Sequence, residues 1–154
     1  MKSKIRKQRG NTLIEFALSS ALLLPCFTGA FRFGYGLYNY NLLCSAVNHG
    51  ASYGAFRTYR SANAASVEKT KAAVRNIVAF GTTTPSETTP PIVKRMDASK
   101  VSVDYILSST GVPTNVRVTI NSFTLDAVFA TFTFTGKPSV TYPFIGRYAP
   151  EESE

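Results

Sequence analysis

Glu15 is the only charged side chain between Leu13 and Phe31, a run that reads LIEFALSSALLLPCFTGAF. A carboxylate at the centre of a membrane helix costs about 2.5–3.5 kcal/mol, and less toward the helix end, so it calls for a partner. The helix dipole returns only about 0.3–1 kcal/mol in the first turn, and the run holds no cation. A partner arises if the chain is cut after Gly10. Asn11 then carries a new α-ammonium four residues from Glu15, one helical turn away. The chemistry on offer is charge neutralisation, within one subunit or between neighbours packed helix against helix.

No constellation for catalysis can be assembled from the rest. His49 is the only histidine, which leaves a Ser–His triad or a histidine-ligated metal poorly supplied. Asp97, Asp104 and Asp126 fall on separate segments, and no glycine-rich phosphate loop follows a strand. The chain is expected to be no enzyme and to need no metal, cofactor or small-molecule substrate. Cys26 and Cys44 on one helix would stand roughly 27 Å apart, too far to bridge. Both are expected to be small buried hydrophobes, with an intermolecular bond as the alternative.

Charge points to a membrane rather than to nucleic acid. The 17 Lys and Arg exceed the 9 Asp and Glu, for a net +8. Lys2, Lys4, Arg6, Lys7 and Arg9 all precede Gly10, and removing these five leaves 12 cations against the 9 acids, a net +3. A basic tag before an apolar run is the flank that stays cytoplasmic. A nucleic-acid surface would need its cations on one folded face, and none is evident.

These residues need a helix to position them. Residues 1–10 are a polar, cationic leader. Residues 11–31 form the expected transmembrane helix, since the nineteen residues from Leu13 to Phe31 span about 28 Å as a helix, close to a bilayer core. Phe31, Phe33, Tyr35, Tyr38 and Tyr40 place aromatics at its interface. Residues 32–60 continue as an amphipathic helix: Phe33, Leu37, Tyr40, Cys44, Val47, Ala51 and Gly54 share a stripe, with a local break expected at Gly34 and Gly36. Gly50 and Gly54 form a small-xxx-small pair, open to two readings: packing inside one subunit, or contact between subunits.

Residues 61–154 are expected to form an extracytoplasmic α+β domain. A second helix follows Arg60, capped by Ser61 or Asn63, with Val67, Val74, Ile77 and Val78 on one face and Gly81 ending it. Residues 81–91, GTTTPSETTPP, form a loop. Period-two alternation then marks strands at Val101–Leu107, Val116–Ile120 and Ser139–Phe144. Leu125–Thr135 is open between a short helix, LDAVFATF, and a strand, TFTFT. The fold class is α+β, with a sheet of three or four antiparallel strands.

The string RGNTLIEFALSSALLLP resembles the N-terminal signature of TadE-like proteins, minor pilins (pseudopilins) of tight adherence type IVb pili. Arg9, Gly10, Glu15, Phe16, Ala17, Leu18, Leu24 and Pro25 hold the signature places. Looser similarity runs through His49, Gly50, Ala51 and Arg57, the valines of 116–120, and the closing Gly-Arg-Tyr-Ala-Pro-Glu. Phe31 and Arg32 depart from it, where relatives commonly carry an acid. The resemblance implies a single-pass protein of the bacterial inner membrane, with its N-terminus cytoplasmic. It implies cleavage between Gly10 and Asn11 by a prepilin peptidase, which favours a residue without a side chain at the cut. It further implies incorporation among other pilin subunits and the assembly platform, with Glu15 and Phe16 in the packed helix and Pro25 bending it. Two rivals predict different processing: a secretory signal cleaved near Ala30, or a permanently anchored binding domain left intact.

Overall fold

The computed structural model describes residues 4–126 and 131–150. One helix, α1 (Lys4–Ala55), runs for 52 residues, about 78 Å at the α-helical rise. It passes through Pro25, Gly34 and Gly36 without interruption. The expected break at the glycines does not occur. Each costs about 1 kcal/mol against alanine, too little to undo a cooperative ladder extended on both sides.

The two halves of α1 have different surroundings. Leu13, Ile14, Phe16, Leu18, Leu22, Leu23, Leu24, Phe27 and Phe31 are each 61–71% exposed, on every side of the helix. A helix apolar all round is stable only inside something else that is apolar. Farther along, Leu43, Ala46, Val47, Gly50, Ala51, Gly54 and Ala55 are buried in a folded head. Of the anticipated stripe, Val47, Ala51 and Gly54 are buried, Tyr40 and Cys44 are half-buried, and Phe33 and Leu37 are exposed. The head covers only the far part of the helix.

After α1 the chain makes a short strand, β1 (Tyr59–Arg60), and then α2 (Ala64–Phe80). Asn63 is the cap: its side-chain oxygen accepts from the Ser66 N–H at 2.8 Å. Gly81 ends the helix at φ 77, with its N–H donating to the Ile77 carbonyl at 2.9 Å, a left-handed stop that glycine adopts without Cβ strain. Val74 and Val78 are fully buried against α1. A Cβ on Gly50 would lie 2.5 Å from Val78 Cγ2, and one on Gly54 would lie 3.2 Å from Val74 Cγ2 and 3.3 Å from Val116 Cγ1. The small-xxx-small pair therefore serves packing within the subunit.

The loop of residues 81–91 is irregular and is tied back to α2 by Asn76 Nδ2 donating to the Thr83 carbonyl at 2.9 Å. A 3-10 turn (Ala98–Lys100) leads into β2 (Val101–Leu107), which pairs antiparallel with β3 (Pro113–Ile120). A hairpin of β4 (Ser122–Asp126) and β5 (Thr131–Thr135) follows. β6 (Ser139–Pro143) then returns to β3, completing a three-stranded antiparallel sheet of order β2-β3-β6. The described ends of Leu125–Thr135 are strands, and residues 127–130 lie outside the described residues. Val101, Val103, Val116, Val118 and Ile120 alternate inward onto α1 and α2. Leu107 breaks the alternation and is exposed, because the register shifts between Ile106 and Leu107.

The last strand, β7 (Tyr148–Ala149), pairs parallel with β1 and ties the end of the chain to the segment after α1. Here the backbones crowd, and a Cβ on Gly146 would collide with the Arg57 carbonyl. Tyr59 lies between rings, 4.9 Å from Tyr105, 6.5 Å from Phe144 and 6.5 Å from Tyr148.

Candidate functional site

Gly10, Asn11, Glu15, Phe16 and Pro25 all lie on the uncovered half of α1, and all are exposed. Gly10 and Asn11 are exposed within α1, and apart from the helix's own backbone none of the described residues stands within 4 Å of where a Cβ on Gly10 would be. Asn11 and Glu15 are one turn apart and share a helix face. In the uncut chain the Asn11 nitrogen is a peptide amide within the helix, so it has no charge to offer. Among the described residues the ion pairs are Lys71 with Glu68 at 3.1 Å and Arg75 with Glu68 at 3.7 Å; Glu15 takes part in neither.

Pro25 has no N–H to donate to the Ala21 carbonyl, yet the helix continues through it. Three residues on, the Thr28 hydroxyl donates to the Leu24 carbonyl at 2.8 Å. Uncovered carbonyls of this kind are tolerated in a membrane when side chains or neighbouring helices supply donors. Two rings of the aromatic flank have ring partners, both tilted: Phe31 lies 4.8 Å from Phe27 between centroids, and Tyr40 lies 5.5 Å from Phe134 of the hairpin.

The remaining candidates are dispersed. His49 is exposed on α1 beside a cavity of about 520 Å³ that Tyr53, Ile77, Thr83 and Ile92 also line, and among the described residues no carboxylate or thiol lines it. Asp97 accepts from the Ser99 N–H and Asp104 from the Ser102 hydroxyl, each a local contact. Among the described residues no group of three His, Cys, Asp or Glu gathers to hold a metal. The cysteines are free, and Cys26 is exposed rather than buried. That corrects the expectation for Cys26, and the reason is that the head stops short of its turn of α1.

One grouping escaped the linear reading. Arg32, Tyr35 and Asn39 of α1 meet Lys94 and Arg95 and the Phe123 ring around a cleft of about 260 Å³. Arg95 holds φ 70, a left-handed conformation costing a non-glycine residue about 1–2 kcal/mol, and its carbonyl accepts from Lys100 Nζ at 2.6 Å. The adjacent Lys94-Arg95 pair was the only hint in the sequence.

These features define a class: an α+β head carried on a long helix, the helix apolar and long enough to cross a membrane. Residues 10–52 match the family model described as TadE-like protein. The match begins at Gly10 and stays within α1, so it covers Glu15, Phe16 and Pro25. The looser similarities at 116–120 and near the chain's end fall outside it. Comparison with curated proteins and with solved structures returns no significant match.

Proposed function

We propose that this chain is a membrane-anchored, TadE-like minor pilin that takes part in assembling tight adherence pili. The observation that carries this reading is the uncovered apolar half of α1, with Glu15 one turn from Asn11 inside the segment that matches the family. The basic leader holds the N-terminus on the cytoplasmic side of the inner membrane while the head lies on the other face. A prepilin peptidase cuts the Gly10–Asn11 bond, whose flanking residues are both exposed. The cut converts a neutral amide into an ammonium, and Glu15 neutralises it in its own subunit or in the next. The helix then leaves lipid for a bundle of pilin helices without carrying an unpaired carboxylate with it.

Mass spectrometry of the membrane-extracted chain tests the processing step. A species beginning at Asn11 is the expected result. Cleavage near Ala30 would instead mark a secretory signal, and an intact chain would mark a permanent anchor with an extracytoplasmic binding head. Glu15→Ala is expected to insert normally and to abolish or sharply reduce piliation; full piliation by that variant would remove Glu15 from the mechanism.

A further inference from the structure

The basic cleft stands where α1 leaves its apolar stretch. Arg32, Lys94 and Arg95 are all exposed around it, and among the described residues no acidic side chain lines it. We propose that this cleft binds the phosphate of an anionic phospholipid headgroup in the leaflet facing the head. The proposal rests on the membrane reading given above.

Height is the first argument. The apolar run ends at Phe31. A bilayer of about 40–45 Å around a hydrocarbon core of about 30 Å leaves a headgroup layer about 5–8 Å deep on each face. From Arg32 to Asn39 the helix climbs about 10 Å, so the α1 wall of the cleft starts in that layer and rises just past it. Tyr35 belongs at the same level, since tyrosine favours the membrane–water interface.

Chemistry is the second. The guanidinium of Arg32 offers a planar fork of donors suited to phosphate oxygens, and Lys94 adds a compact charge. Phe123 supplies an apolar wall beside them, which suits an amphiphile better than a free anion. The cations come from segments about sixty residues apart in sequence. Folding brings them around one cleft beside the helix, where a lipid headgroup can reach them all.

The test uses the full chain in vesicles of phosphatidylcholine alone or mixed with phosphatidylglycerol, then native mass spectrometry of the lipids it retains. The chain is expected to float with both vesicles and to retain phosphatidylglycerol preferentially. Arg32→Gln combined with Lys94→Gln is expected to float equally well and to lose that preference, by about fivefold for each neutralised cation. Lys69→Gln, a single charge loss on exposed α2, is expected to leave it unchanged, whereas Arg32→Gln or Lys94→Gln alone costs about fivefold. No preference in the wild type, or an equal loss with Lys69→Gln, would overturn the cleft. Cleft-dependent retention of added inorganic phosphate by the detergent-solubilised chain would overturn the lipid source. Failure to float with either vesicle would overturn the membrane reading instead.

Discussion

The hydroxyl of half-buried Tyr105 donates to the Gly54 carbonyl of α1 at 3.3 Å. Burial first, and then the nearby Tyr59 and Tyr53, push its pKa from the usual 10.0 up to about 12. The sign follows from linkage: the unfolded tyrosine ionises near 10 while the folded one resists. Its contribution to stability is therefore complete below pH 10 and is lost as pH rises from about 10 to about 12. Tyr105→Phe is expected to flatten that alkaline fall while costing about 1 kcal/mol at neutral pH through the lost hydrogen bond. Denaturant titrations of both forms between pH 7 and 12 give the comparison, and a fall of equal size in the variant would assign it to other groups. The other residues with a proposed role differ in kind. Glu15 and Gly10, to which the proposed function gives a role, are exposed, with none of the described residues covering them.

At the scale of elements, the contact between α1 and α2 depends on two missing side chains. Gly50→Ala gains about 1 kcal/mol of helix propensity. It also forces a methyl to 2.5 Å from a β-branched valine, and overpacking of this kind costs about 1–3 kcal/mol. A net loss of about 1 kcal/mol is expected. Gly34→Ala, with nothing within 4 Å, is expected to be neutral or stabilising by up to about 1 kcal/mol. Thermal unfolding of the detergent-solubilised variants, followed by circular dichroism, should move in opposite directions. A Gly50→Ala protein as stable as the parent would mean that α2 packs less closely than described. The bounds of α2 were legible in the sequence, because Asn63 and Gly81 act on backbone groups within a turn of themselves. The pairing of β1 with β7 was not, because two residues are too few to show a period.

The whole molecule is asymmetric in charge as well as in burial. Five cations precede Gly10, and the head lies at the far end of a helix about 78 Å long. If the leader sets orientation, replacing Lys2, Lys4, Arg6, Lys7 and Arg9 with Gln should lower the fraction of heads on the outer face. Protease digestion of spheroplasts reads that fraction directly. Unchanged digestion would show that the head translocates regardless of the leader. The same asymmetry explains the cysteines: Cys44 lies within reach of the head and is half-buried, while Cys26 lies beyond it and is exposed.

What the sequence determined by itself is local or periodic. The apolar run with Glu15 inside it, the basic leader, the capped second helix and the alternating valines of β2 and β3 each follow from interactions among residues a few positions apart. Tertiary structure decided the rest. It assigned Gly50 and Gly54 to the subunit's own core, left Phe33 and Leu37 uncovered, carried the helix unbroken past Gly34, and drew Arg32 together with Lys94 and Arg95. Those outcomes depend on which surfaces meet after segments far apart in the chain have packed. A residue's neighbours along the chain carry no record of that.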